Sequence, residues 1–475
     1  MAHQLSSRGS KAVTPALPYI GAFLDAQKRP WSPSDPDGSI ICTVAENKLS
    51  AGLFHERLVS AQAELPLHTL FYPKGFKGTE EARAAMARML QRTCMKGAQV
   101  DPSHLSLVSG AGSVLETVFW SICESGQGAL LPKPIYPAFR NDLGVRSNVQ
   151  LVLLDLVEPG QTKGLASWLT PSPHKCDAAA DGVMPPPAPL SVAQQLDAAK
   201  EGAAAQGITV RAFLLSHPNN PCGTVYQADT VLQILQWCLA NDCHFVSDEI
   251  YANSVWGEQG PEFTSALLVA QRALEDGSIP REEEFKVHDL LHVVWGLSKD
   301  WCASGLRVGG LHSRNPALNS AIDNLCYFQM ISGPTLWSVT QVMEDDEFVD
   351  NFIAENKRRL RAAYAKLAGA LDEAGIPHVP ACAAMFSWVD LRRGLRMAGW
   401  EGERELWQRL VDCGVVLTPG EACLSDEPGF FRICWAWVDP DALPIAVSRI
   451  TAQLEAEGPL KPTGSPAATD ADFRA

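Results

Sequence analysis

Seven short apolar runs between about Leu105 and Ser313 constrain the fold of this 475-residue chain more than any other feature. They read "HLSLVSG", "GALLP", "VQLVLLDL", "RAFLLSHP", "HFVSDE", "HVVWGLS" and "RVGGLHS". Each is rich in Val, Leu or Phe and bounded by Gly, Pro, Asp or Ser, the pattern of strands buried on both faces of a mostly parallel sheet. Between them lie stretches with apolar residues at three- and four-residue spacing, such as "SVLETVFWSIC" (Ser113–Cys123) and "DTVLQILQWCLAN" (Asp229–Asn241). That spacing predicts helices packed on the sheet. The fold class is therefore α/β.

The pattern changes after Met330. A long amphipathic helix over Glu347–Gly375, followed by short strands around "MFSWVDL" and "FFRICWAW", predicts a second, smaller α+β domain. The expected division is an N-terminal segment joining the small domain (1–50), a large domain (51–325), the small domain (326–455) and a tail (456–475) without apolar periodicity, which predicts disorder. Residues 158–207, with "TPSPHKCDAAADGVMPPPAPL" in their middle, read as a surface insertion.

Charge and composition exclude several function classes. The formal net charge of -15 offers no basic face to nucleic acid or anionic lipid. No apolar run approaches the roughly 20 residues that would span a bilayer, and the N-terminus lacks the apolar stretch of a signal peptide. The 13 cysteines include no CxxC pair and no Cys/His spacing suited to a metal. Reduced core cysteines and a cytoplasmic location are expected, with no metal.

In open α/β sheets the ligand sits beyond the carboxyl ends of the strands, so the polar residues directly after each apolar run carry the chemistry. After "AFLLS" comes "HPNNPCGT" (His217–Thr224), after "HFVS" comes "DEIY" (Asp248–Tyr251), and after "HVVWGLS" comes Lys299. Asparagine, aspartate, tyrosine and lysine then converge on one edge. A lysine at the mouth of a buried strand is desolvated and needs compensation. Lysine with a buried carboxylate suits imine chemistry with an aldehyde cofactor, in which the carboxylate keeps a pyridine nitrogen protonated so that the ring accepts electrons.

"SHPNNPCGT", "SDEIY" and "SKDWCASGLRVG", in this order and spacing, resemble the class I/II aminotransferases among the fold-type I pyridoxal-phosphate enzymes. "VAENKL" (Val44–Leu49), "GTEEARAAMARML", "SGAGSVLET", "PIYPAF", "MFSWVDLR" and "PGFFRICWA" extend the resemblance to the 1-aminocyclopropane-1-carboxylate synthase branch, from about Tyr19 to about Leu454. The resemblance implies an aspartate-aminotransferase-like fold, pyridoxal 5'-phosphate as cofactor and an amino-acid-like substrate. It implies that Lys299 forms the internal aldimine and then acts as base, that Asp248 pairs with the pyridine nitrogen, and that Tyr251 and Asn220 hydrogen-bond the phenolic oxygen. Tyr136 would stack on the ring. Ser298, Arg307 and the backbone N–H groups of Ala111 and Gly112 at a helix N-terminus would hold the phosphate. Arg432 would bind the substrate α-carboxylate in a two-pronged contact, with Glu46 near the substrate. A homodimer is implied too, the partner's Tyr72 or Phe76 completing each site.

Three positions depart from the family pattern. Gly296 stands where a serine is common, Gly112 stands near a usual threonine, and Phe76 falls where the partner-reaching tyrosine is expected, with Tyr72 close by. Fewer donors would then face the phosphate. Taken singly, Asp248 could cap a helix, Arg432 and Glu46 could form structural ion pairs, and "NPCG" could be a turn. The reading adopted is an aminotransferase-type enzyme acting on an L-amino acid. The alternatives on the same residues are γ-displacement from S-adenosylmethionine and carbon–sulfur β-elimination, with a non-catalytic cofactor-binding homologue as the remote one.

Overall fold

The computed structural model describes residues 5–13, 17–159, 161 and 190–456. Strand β1 (Ile40–Ile41) lies in the N-terminal segment, and the apolar runs become β2 (Leu105–Val108), β3 (Gly128–Pro132), β4 (Gln150–Leu154), β5 (Val210–Ser216), β6 (His244–Asp248), β7 (Leu291–Gly296) and β8 (Gly309–Ser313). They form one seven-stranded sheet in the order β2-β8-β7-β6-β5-β3-β4. β3, β4, β5, β6 and β7 pair in parallel, and only β8 runs the other way, antiparallel to both β7 and β2. β2, β3, β5, β6, β7 and β8 are buried almost throughout, as their unbroken apolar character requires.

Helices α1 (Ala51–Gln62), α2 (Glu80–Arg92), α3 (Ala111–Ile122), α4 (Phe139–Gly144), α5 (Val192–Ala205) and α6 (Ala228–Ala240) belong to this layer. α5 corrects the insertion reading at its C-terminal end. Val192, Leu196 and Ala203 are buried, and the helix packs on β4 and α6 as the crossover from β4 towards β5. Its Ala- and Gln-rich sequence carries little apolar periodicity, which is why it reads as surface. Residues 162–189 of the expected insertion lie outside the described residues, as do 457–475 of the expected tail.

Next come α7 (Gly333–Met343) and α8 (Asp346–Glu373), the latter within a turn of the predicted helix. α7 packs on α1 and α2, and its buried Leu336, Val339, Val342 and Met343 join the core of the large layer. A second apolar core, which also takes in Ile250, Tyr251 and Trp256, includes α8 only from Leu360 onwards. It also holds residues of β9 (Phe386–Asp390), β10 (Val415–Val416), β12 (Phe430–Cys434) and the helices α9 (Gly399–Asp412) and α10 (Ala442–Glu455), while β11 (Thr418–Pro419) pairs with β12 beside it. β9, β12 and β11 form a three-stranded antiparallel sheet, while β1 pairs with β10 in parallel and ties the N-terminal segment to this layer. Each cysteine among the described residues is free. No helix among them is long and apolar enough to cross a membrane.

Candidate active site

The carboxyl ends of the parallel strands open on a cavity of about 400 Å³. Every residue assigned to the cofactor by sequence lines it: Ala111, Gly112, Tyr136, Asn220, Asp248, Tyr251, Ser298, Lys299 and Arg307, with Glu46 beside them. The sheet makes this convergence unavoidable. Ser216 is paired with Asp248, and Asp248 with Val294, two residues before the end of β7, so the residues after these strands face one space.

Lys299 is half-buried at the cavity wall, and its Nζ donates to the carbonyl of Ala45 at 2.6 Å. Burial lowers its pKa to about 8, with nearby Arg432 and Arg307 acting in the same direction against Glu46 and Cys434. Asp248 is buried at the end of β6, and desolvation raises its pKa to about 7 against the hydrogen bond that Oδ1 accepts from the N–H of Ile250 at 3.3 Å. Asn220 is held at both ends of its amide. Its Oδ1 accepts from Nη1 of Arg432 at 3.0 Å, and its Nδ2 donates to the Tyr251 hydroxyl at 3.4 Å. Tyr136 meets Phe139 edge to face, at 5.3 Å between ring centres.

One end of the cavity is positive. α3 begins at Ala111 with no side-chain cap, so its first N–H groups are open to a ligand. Arg307 lies across Gly110, with backbone at φ 52°, and its Nη1 donates to the carbonyl of Ser304 at 3.0 Å. Gly110 has φ 90°, and a Cβ there would stand 2.8 Å from the guanidinium carbon of Arg307. Glycine therefore suits the backbone there and leaves room for the guanidinium of Arg307.

Arg432 sits differently from expectation. It is 1% exposed and lies behind Asn220 rather than in the cavity wall. Nη2 donates to the Thr43 carbonyl at 2.8 Å and to the Thr418 hydroxyl at 3.0 Å, the guanidinium lies 4.7 Å over the Phe386 ring, and Nε is buried without a hydrogen-bond partner among the described residues. Gly296 also departs from its reading as a cup position short of a hydroxyl. A Cβ there would stand 2.8 Å from the Val308 carbonyl, so the close approach of β8 to β7 excludes any side chain. Tyr72 is 77% exposed and Phe76 packs edge to face on Tyr327, so neither enters the cavity of its own chain.

Four further side chains belong to the site without having been singled out in the sequence. Ser304 donates to Oε1 of Glu46 and fixes that carboxylate at the cavity wall. Asp142 lines the cavity next to Gly112. Tyr19 is buried against Arg432 and Thr418, with its hydroxyl pKa raised to about 12 by desolvation. Thr418 in turn hydrogen-bonds Thr43 at 2.8 Å. Ser304 lies inside the quoted "SKDWCASGLRVG", and Tyr19 stands where the resemblance begins, so each had a signal; Thr418 and Asp142 had none beyond position.

The fold is that of solved aminotransferases. Aspartate aminotransferase from Thermus thermophilus superposes with a TM-score of 0.71 at 17% identity, covering 95% of this chain and all of that one. An aminotransferase from Mycobacterium tuberculosis gives 0.70 at 20% identity over 95% and 99% of the two chains. In sequence, the family model "Aminotransferase class I and II" matches residues 191–450. 1-Aminocyclopropane-1-carboxylate synthase 1 of Oryza sativa subsp. indica is 30% identical over 92% of this chain and 85% of its own. Synthase 2 of Oryza sativa subsp. japonica is 32% identical over 87% and 80%. The chain belongs to the class I and II aminotransferase family, and it is a pyridoxal-phosphate-dependent enzyme.

The cavity fits that cofactor on its own chemistry. A buried carboxyl stands where a pyridine nitrogen can be met, an amide and a phenol stand together as donors for the ring oxygen, and a lysine amine is held for the aldehyde. An uncapped helix N-terminus with a guanidinium beside it awaits a phosphate.

Proposed function

We propose that the enzyme acts at the α-carbon of an L-amino acid, with Lys299 moving the proton, and that its reaction is a transamination. The observation that carries this reading is the convergence of Lys299, Asp248, Tyr251 and Asn220 on one cavity with Arg307 and the open end of α3. When bound, pyridoxal phosphate supplies an electron sink that weakens the bonds at the α-carbon of an attached amino acid.

The chain's own residues then have distinct tasks. Lys299, lowered to about 8, is partly neutral near physiological pH and can accept a proton, which is what a general base requires. Asp248 pairs with the ring nitrogen, Tyr251 and Asn220 orient the ring oxygen, and Ser298 and Arg307 anchor the phosphate. Tyr136 limits the space on one ring face. Arg432 receives the substrate carboxylate, exchanging its hydrogen bond to Asn220 for a charged partner. Glu46, steadied by Ser304, faces the rest of the substrate.

A second reading is supported by the names of the curated relatives. Several at 29–32% identity are 1-aminocyclopropane-1-carboxylate synthases. In that reaction the same base removes the same proton, but a γ-substituent leaves. We also propose a homodimer, because Leu67, Leu70, Phe71, Tyr72 and Phe328 are each more than 60% exposed, an unusual apolar surface.

The deciding experiment adds a panel of L-amino acids and S-adenosylmethionine to the cofactor-loaded enzyme without a keto acid. Visible absorbance and released products are followed together. Stoichiometric conversion of the cofactor to its amine form, with a keto acid released, is the result expected for transamination. Catalytic release of a cyclopropane amino acid, or of ammonia and pyruvate, with the absorbance retained would overturn it in favour of a lyase.

A further inference from the structure

We propose that Asp142 is a further cofactor-binding residue, whose carboxyl group, in its protonated form, donates a hydrogen bond to the phosphate end of the cofactor. It would serve in place of the side-chain hydroxyl that Gly112 lacks. The proposal rests on the pyridoxal-phosphate reading above and concerns how this particular chain holds the group.

Asp142 lies on α4, six residues after Tyr136, and lines the cavity beside Ala111 and Gly112. Its Oδ1 is 3.4 Å from where a Cβ at Gly112 would stand, so the carboxyl closes on the first turn of α3, the turn whose N–H groups are uncapped. The carboxyl oxygens make no hydrogen bond and no ion pair among the described residues. Asp142 is half-buried, and a carboxyl that faces the cavity with no protein partner is placed to meet a ligand bound there.

The charged groups around it decide its protonation. α3 presents Glu116, itself 3.4 Å from Arg146; the segment before α4 presents Tyr136; the end of β6 presents Asp248; and the segment after β7 presents Lys299. Burial is the largest influence and Glu116 adds to it, raising the pKa of Asp142 to about 7 against the opposing pull of Lys299. A phosphate brought to the same helix end adds negative charge and favours the neutral acid further. The neutral acid is a donor, whereas the ionised carboxylate accepts only and repels an anion. Since the donor form exists below the pKa, cofactor affinity falls as pH rises through it.

The test measures the dissociation constant of pyridoxamine phosphate, which forms no imine with Lys299, for the native enzyme, Asp142→Asn and Asp142→Ala, at about pH 6 and about pH 8.5. The amide introduced by Asp142→Asn is a donor at every pH. That variant should therefore bind about as tightly as the native enzyme at the lower pH and about tenfold more tightly than it at the higher one. Asp142→Ala should bind about tenfold more weakly at the lower pH. A circular-dichroism spectrum identical to native confirms that each variant is folded. If Asp142→Asn shows the native pH dependence, or binds more weakly than native at the lower pH, the proposal is overturned; the second result would mean that the carboxylate acts ionised. Failure of the native enzyme to bind pyridoxamine phosphate at all would overturn the cofactor reading along with it.

Discussion

Gly110→Ala is the sharpest perturbation of the phosphate end. The backbone at Gly110 has φ 90° and ψ 156°, a region that is essentially glycine's alone, and forcing another residue into it costs roughly 1–3 kcal/mol. The added methyl carbon would stand 2.8 Å from the guanidinium carbon of Arg307 and 3.3 Å from its Nη1, so the guanidinium must leave its place over the helix end. A hydrogen bond to a charged group is worth roughly 1.5–3 kcal/mol, so loss of the Arg307 contact corresponds to about 10- to 150-fold weaker binding of a phosphate-bearing cofactor. Two assays separate the effects. Denaturant unfolding without cofactor reads the backbone strain, and titration with pyridoxamine phosphate reads the displaced arginine. Arg307→Ala, made alone and with Gly110→Ala, closes a double-mutant cycle. The affinity cost of Gly110→Ala should nearly vanish once Arg307 is gone, while the stability cost persists. Native affinity in Gly110→Ala, or an affinity loss that is the same with and without Arg307, would refute the reasoning.

Two further predictions concern Lys299 and Arg432. With its pKa lowered to about 8, Lys299 becomes the free amine as pH rises through about 8, so the rate of imine formation with pyridoxal in the ligand-free enzyme should rise with a midpoint there. A midpoint near the ordinary lysine value would show that burial does not act as described. Arg432→Lys should lower kcat/KM by about 10- to 100-fold, because an ammonium cannot span Asn220, Thr43 and Thr418 and also meet a carboxylate in a two-pronged contact. Steady-state kinetics on whichever amino acid proves to be the substrate checks this, and an unchanged kcat/KM would remove Arg432 from substrate binding.

The large sheet was legible because burial on both faces leaves the same mark on every strand, an unbroken apolar run ending in polar residues. The site was legible for a related reason: parallel strands end at one edge, so Asn220, Asp248 and Lys299 had to meet. Helix α5 was not, since a helix that buries only Val192, Leu196 and Ala203 needs little periodicity. Gly296 looked like a missing hydroxyl, yet its meaning lies in how closely β8 approaches, which only the folded chain defines. Arg432 was recognisable by its surroundings in sequence, but its burial behind Asn220 depends on Thr43, Thr418 and Tyr19, brought in from distant parts of the chain. Asp142 carried no signal in the sequence, because only the folded chain brings this first-turn residue of α4 to the cavity.

The single reversed strand has a consequence for how the site is wired. In a purely parallel sheet, a residue at the start of the next strand would emerge on the far edge, a full strand length away from Lys299. Because β8 heads back, Arg307 just before it and Lys299 just after β7 share one edge, joined by a single short connection. The proposed attachment point for the aldehyde and the proposed anchor for the phosphate are thus set apart by the length of one loop. Insertions or deletions between them would alter that span directly, whereas the crossovers elsewhere in the sheet can change length without touching it.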